Sequence, residues 1–214
     1  MPRFSAVIFD FDYTLADSSQ GVLECVNHAL GRLGLPAASP EDIKKTIGMS
    51  LPATLVALAG KEHKDKGDDF HHLFIERADK VMADMTTVFE DVPRVIRLLR
   101  DEGVPLGIVS TKFRYRIETI LGRAGLLEHF DVIVGGEDVS RHKPDPEGIQ
   151  MAIERLGANQ STLYVGDSLS DAEAAMRAGV PFVAVLSGVT PREAFSKYPA
   201  YRIIEKIVEL VDLL

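Results

Sequence analysis

Apolar residues along this chain alternate between two spacings. Val7-Ile8-Phe9 is a short continuous apolar run, the pattern of a strand buried on both faces. After Leu15 no strand pattern returns until Glu90. Val22, Val26, Leu30 and Leu33 instead recur at helical spacing from Ser19, and Gly34 ends that run. Pro40-Glu41-Asp42 opens a short helix ending near Gly48, and Leu51 to Ala59 is another, closed by Gly60. The charge run Lys61–Lys66 reads as a solvated turn, and Asp68 to Met85 as a longer helix with Phe70, Phe74, Ala78 and Val81 on one side.

From Glu90 onward strands and helices take turns. Asp91 and Pro93 start a helix that Gly103 ends, Pro105 to Val109 is a strand, and Arg114 to Ala124 is a helix stopped by Gly125. Val132–Val134 is a strand, and Asp145-Pro146-Glu147 starts a helix ending at Gly157. Leu163–Val165 is a strand, Ser170 to Ala178 a helix stopped by Gly179, and Phe182 to Leu186 a strand. Tyr201 to Ile204 is a short last strand before a C-terminal helix. Such alternation predicts βαβ units. The expected fold is α/β, a Rossmann-like doubly wound parallel sheet with an inserted all-helical domain. The core is expected at residues 1–15 and 87–214 and the helical insertion at 16–86.

Composition narrows the partner. A formal net charge of −8 argues against a nucleic acid, although it leaves room for a small phosphate ester. The single cysteine, Cys25, excludes an internal disulfide and fits a reducing compartment. It is expected to pack inside its helix. No apolar run approaches the roughly 20 residues of a membrane span, and the N-terminus runs straight into a strand with no signal peptide. The chain is therefore read as cytoplasmic, with no membrane partner.

Polar residues gather where the apolar strands end. Asp10 and Asp12 follow the first strand, Ser110 and Thr111 the second, and Gly166-Asp167 the strand Leu163–Val165, with Asp171 further on. Lys143 lies in Arg141-His142-Lys143-Pro144-Asp145-Pro146, just before a helix. A doubly wound sheet binds ligands at the carboxyl ends of its strands, so the topology gathers these residues at one rim. Two carboxylates ending a buried strand repel each other unless a cation, a proton or a chemical task holds them there.

In order, Asp10-Phe11-Asp12-Tyr13-Thr14, Ser110, Lys143 and Gly166-Asp167-Ser168-Leu169-Ser170-Asp171 match four motifs. The chain resembles the haloacid dehalogenase-like hydrolase superfamily, and within it the phosphatases with a helical cap, of the phosphoglycolate phosphatase and β-phosphoglucomutase group. The resemblance covers the whole chain, since the helical segment sits where that family inserts its cap. It implies Mg²⁺-dependent hydrolysis of a small phosphorylated metabolite through an aspartyl-phosphate. Asp10 would be the nucleophile, and Asp12 the acid and base for the leaving group and the attacking water. Mg²⁺ would take oxygens of Asp10 and Asp167 and the backbone carbonyl of Asp12, with Thr14 and Asp171 behind them. Ser110, the Thr111 amide and Lys143 would bind the phosphate, helped by the helix that begins beyond Thr111.

Each motif alone has a plainer reading. Asp-x-Asp-x-Thr fails a calcium loop, because Leu15 replaces the turn glycine and Gly21 the closing glutamate. Ser110 and Thr111 could cap a helix, and Asp171 could simply favour a helix N-terminus. His28, His63, His71, His72 and His129 lack ligand spacing, and Arg114 and Arg116 read as a solvated helix face. Tyr13 stands where many capped phosphatases carry glycine, and Thr111 where many phosphoglycolate-phosphatase-like members carry asparagine. A sugar-phosphate mutase of the β-phosphoglucomutase type is the near alternative. A phospho-accepting signalling module is the distant one, although it would place its acceptor after a later strand. The chain is expected to act as a monomer or homodimer.

Overall fold

The computed structural model describes residues 4–159 and 161–213. In chain order its elements are β1 (Val7–Phe9), β2 (Ala16–Asp17), α1 (Ser19–Arg32), α2 (Pro40–Lys44), α3 (Leu51–Ala59), α4 (Gly67–Val81), β3 (Thr87–Val88) and α5 (Val92–Asp101). There follow β4 (Leu106–Val109), α6 (Arg114–Arg123), β5 (Val132–Val134), α7 (Glu147–Arg155), β6 (Leu163–Gly166), α8 (Leu169–Ala178), β7 (Phe182–Val185) and β8 (Ala200–Ile204). The chain divides into two compact units, Met1–Ala16 with Val88–Leu214, and Asp17–Thr87.

The first unit is built on a six-stranded sheet in the order β5-β4-β1-β6-β7-β8. Every pairing in it is parallel. The four inner strands are buried along their whole length, whereas β5 and β8 at the edges are partly exposed. This explains the uninterrupted apolar runs, because helices cover both faces of a parallel sheet. Register decides which polar residues meet at the rim. Phe9 is level with Ile108 of β4 and Val165 of β6. Asp10 is therefore level with Val109 and Gly166, and Ser110 and Asp167 emerge one residue further on. From β1 the chain proceeds to the β4 side and from β6 to the β7 side, so the switch in direction lies between β1 and β6.

The second unit is helical around its own core. Cys25, Val26, Ala29 and Leu30 of α1 pack with Ile43, Leu55 and, from α4, Phe70, Phe74 and Ala78. Cys25 is buried there. Glu24 Oε1 accepts a hydrogen bond from Arg77 Nε at 2.8 Å, tying α1 to α4. Ser39 caps α2 by accepting from Asp42 N at 3.1 Å, with Pro40 in the first turn.

Three element expectations are corrected. The segment Lys61–Lys66 is a short 3₁₀ stretch. Helix α4 stops at Val81 rather than Met85, because Asp84 N turns back three residues to Val81 O and Thr86 Oγ1 takes the Met82 carbonyl at 2.7 Å. The C-terminal segment Ile207–Leu213 is 3₁₀ rather than α, and its Ile207, Leu210 and Leu213 are buried at a spacing of three.

Candidate active site

The rim between β1, β4 and β6 holds a buried group of acids and lysines. Lys143 Nζ lies 2.8 Å from Asp10 Oδ1 and 2.6 Å from Asp171 Oδ1, and the three side chains are almost wholly buried. Its contact with Asp10 is a buried ion pair. Lys143 also donates to Tyr164 Oη at 3.3 Å, and that hydroxyl donates to Asp171 Oδ1 at 3.1 Å. The loop carrying Lys143 is held by Glu147, which accepts from Ser140 N at 2.8 Å and Arg141 N at 3.1 Å.

Asp171 has both oxygens engaged. Oδ1 serves Lys143 and Tyr164, while Oδ2 accepts from Ser168 N at 3.0 Å and from Ser168 Oγ. With Ser168 Oγ accepting from Asp171 N at 3.2 Å, this is a capping box that starts α8. Asp171 thus both opens α8 and lies against Lys143 in the buried cluster. Gly166 makes this possible: a Cβ there would lie 2.5 Å from Asp171 Cγ.

Asp12 has a separate partner. Lys112 Nζ lies 3.2 Å from Asp12 Oδ1, and both side chains are buried. Sequence reasoning missed Lys112, although it directly follows Ser110-Thr111 and a buried Asp12 calls for a cation of its own. Tyr164 was missed too, because a tyrosine in an apolar strand reads as core. Thr14 is buried and its Oγ1 has no hydrogen-bond partner. Tyr13 adopts φ 61°, the one positive φ outside glycine among the described residues. The backbone there is left-handed, a conformation glycine takes at no steric cost.

Ser110 is buried at the end of β4 and its Oγ accepts from Lys112 N at 3.3 Å. Thr111 beside it is partly exposed. Neither caps α6, whose N-cap residue is Phe113. The first amide of that helix, Arg114 N, donates to both oxygens of Glu137 at 2.9 and 3.0 Å. The first amide of this helix start is thus engaged by Glu137. Arg116 also departs from the solvated reading: it is buried, with its guanidinium 5.2 Å from the Phe113 ring centre and 5.0 Å from that of Tyr115.

Burial dominates the electrostatics. It pushes the Asp10 carboxyl up from 3.8 to about 7, against the pull of Lys143 and with the repulsion of Asp171 added. Burial also raises Asp167 well above its usual range, with the charges of Asp171 and Asp10 adding to it. Lys143 goes the other way: burial would lower it, but Asp10 and Asp171 outweigh that and hold it well above its ordinary value.

Asp10, Asp167 and Asp171 offer carboxylate oxygens that lie within 4.8 Å of one another. Since Asp171 is saturated by Lys143, Tyr164 and Ser168, the oxygens of Asp10 and Asp167 are the ones left. Buried carboxylates whose charge is so disfavoured fit a hard divalent cation, which takes oxygen ligands and removes the repulsion.

The profile of the family described as haloacid dehalogenase-like hydrolase matches residues 7–185. The chain belongs to that family. It is 32% identical over 232 aligned positions to a phosphoglycolate phosphatase of Shigella boydii, covering 97% of this chain and 91% of that protein. It is 28% identical over 212 positions to the pyrophosphatase PpaX of Bacillus velezensis, covering 99% and 96%. Among solved structures, a haloacid dehalogenase-like hydrolase from Bacteroides fragilis superimposes with a TM-score of 0.93 at 41% identity, over 97% of this chain and 99% of that one. As a member of this family the chain is a hydrolase with an α/β core. No helix among the described residues is long and apolar enough to cross a membrane.

Proposed function

We propose that this hydrolase is a Mg²⁺-dependent phosphatase that cleaves a small phosphomonoester through a phospho-aspartate on Asp10. The observation that carries the reading is the buried trio in which Lys143 lies between Asp10 and Asp171, with Asp167 beside them. Asp10 attacks phosphorus, and the bond from phosphorus to the ester oxygen breaks. Asp12 gives that leaving oxygen its proton, then takes one from the water that hydrolyses the phospho-aspartate. Lys143, the Ser110 hydroxyl and the Thr111 amide bind the phosphate oxygens. Mg²⁺ held by Asp10, Asp167 and the Asp12 carbonyl supplies charge neutralisation when bound. Thr14 and Asp171 position these groups.

The unit Asp17–Thr87 enters the chain directly after the Asp12–Ala16 turn, and it is assigned the role of a cap that excludes water during turnover. Names of relatives guide the first substrates to try, phosphoglycolate and pyrophosphate.

The test is phosphate release from a panel of phosphate esters and pyrophosphate, with and without Mg²⁺. Turnover that requires Mg²⁺ is expected for at least one phosphomonoester, and Asp10→Asn is expected to abolish it. Absence of turnover across the panel overturns the reading, and near-wild-type activity of Asp10→Asn overturns the nucleophile assignment.

A further inference from the structure

The turn after β7 reaches the site from a strand that carries none of its acids. Ser187 Oγ donates a hydrogen bond to the carbonyl oxygen of Tyr13. Tyr13 lies between Asp12 and Thr14, and its own amide donates to Ala16 O at 2.7 Å. One residue beyond Ser187, a Cβ placed on Gly188 would lie 1.9 Å from Asp167 Oδ2 and 2.8 Å from its Cγ. No L side chain fits there unless the Asp167 carboxylate moves.

These observations act on different parts of the site. A left-handed backbone at a residue with a Cβ is not self-sustaining and persists where its surroundings fix it. Ser187 fixes it at the carbonyl and Ala16 at the amide, so the peptide leaving Asp12 has one orientation. A side chain without a hydroxyl in place of Ser187 would leave the Tyr13 carbonyl without that donor. Gly188, in turn, bounds the volume in which Asp167 sits. Its missing Cβ lets the chain pass close behind a carboxylate that no donor of the described residues holds.

We infer that Ser187 and Gly188 are positioning residues of this site, Ser187 for the Asp12-Tyr13-Thr14 turn and Gly188 for the Asp167 carboxylate. The inference rests on the phosphatase reading for its effect on turnover, and on geometry alone for its effect on cation binding and folding. Both residues act through others, so their effect belongs in kcat and in Mg²⁺ affinity rather than in substrate affinity.

The experiment compares Ser187→Ala, Ser187→Thr and Gly188→Ala with the full wild-type chain. It measures Mg²⁺ binding by calorimetry, thermal melting by circular dichroism, and kcat and KM on the ester that the wild type hydrolyses fastest. Ser187→Ala is expected to lower kcat about tenfold, the loss of one hydrogen bond, with KM within about twofold. Ser187→Thr, which keeps the hydroxyl, is expected to restore most of it. Gly188→Ala is expected to weaken Mg²⁺ binding by about tenfold or more.

Should Gly188→Ala fail to fold, it is placed in an Asp167→Ala background, where the obstructing carboxylate is gone and folding is expected to return. Equal destabilisation in both backgrounds overturns the Gly188 assignment, as does wild-type Mg²⁺ affinity in Gly188→Ala. Unchanged kcat in Ser187→Ala, or a threonine variant as impaired as the alanine one, overturns the Ser187 assignment. A wild type that releases no phosphate from any ester removes the phosphatase reading, while the Mg²⁺ titrations and melting curves still decide the Gly188 assignment.

Discussion

Lys112 Nζ lies 3.2 Å from Asp12 Oδ1, and this pair is separate from the Lys143–Asp10–Asp171 group. The side chains are 5% and 9% exposed, so water cannot take over for a missing partner. Removing one member of a buried ion pair leaves the other charge uncompensated, at a cost of about 3–5 kcal/mol. Lys112→Met is therefore expected to lower stability by an amount of that order and to slow turnover at least about tenfold. Lys112→Arg keeps the charge and is expected to lose less of both. The double variant Lys112→Met/Asp12→Ala removes the carboxylate that lost its cation as well. Urea denaturation should find it more stable than Lys112→Met alone, and the reverse order would show that the pair is not what matters.

Lys143 and Tyr164 form the second test of buried charge. Tyr164 contributes a neutral hydroxyl at 3.1 Å from Asp171 Oδ1, whereas Lys143 contributes the charge between two carboxylates. Tyr164→Phe is expected to cost about 1 kcal/mol, measured by urea denaturation, with turnover largely kept. Lys143→Met strands Asp10 and Asp171 together, and it is expected to cost several times more and to abolish turnover. Equal losses for the two variants would mean that packing, not charge, holds the cluster.

Much of this site is legible in the amino-acid sequence alone, and the reason is local. Asp10, Ser110, Lys143 and Asp167 each sit beside an apolar run or a helix start that fixes their place on a parallel sheet. Register then does the rest, because Phe9, Ile108 and Val165 are level. What was missed depends on long-range contacts. Lys112 reads as one more surface lysine until the fold turns it toward Asp12. Tyr164 is a strand residue like its neighbours, and only its hydroxyl's reach to Asp171 gives it a second role. Helical spacing reads Arg116 as a solvated position, since it cannot register two aromatic rings beside a guanidinium. The left-handed backbone at Tyr13 has no signal in the sequence, because a tyrosine reads as an ordinary residue with negative φ.

Metal and pH are expected to be linked through Asp10. Without a cation its carboxyl is raised from 3.8 to about 7, mainly by burial. The folded state then holds a proton that the unfolded state releases, so this group's contribution to stability is full below pH 3.8 and fades as pH rises through about 7. A divalent cation held by Asp10 would take the proton's place. Mg²⁺ is expected to raise the melting temperature more at pH 8 than at pH 5, where protons compete for the same oxygens. Chelation with EDTA should reverse the gain. Melting curves with and without Mg²⁺ at the two pH values check this, and a gain independent of pH would place the ion away from Asp10.

Tyr13 gives a prediction whose order runs against ordinary expectation. Its φ of 61° suits glycine, yet the side chain is only 7% exposed. Truncating it to alanine removes the buried ring, worth about 2–3 kcal/mol, and keeps the left-handed penalty of about 1–2 kcal/mol that any Cβ brings. Truncating to glycine removes the ring and the penalty together, and adds a smaller cost in the entropy of the unfolded chain, about 0.5–1 kcal/mol. Both variants should be less stable than the wild type in urea denaturation, but Tyr13→Gly should be the more stable of the two. In a helix or strand interior the order would be the opposite, because alanine is there the better residue. Tyr13→Ala proving the more stable would mean that the turn relaxes to a negative φ once the ring is gone. The Ser187 hydroxyl on the Tyr13 carbonyl would then hold the turn only while the ring is in place.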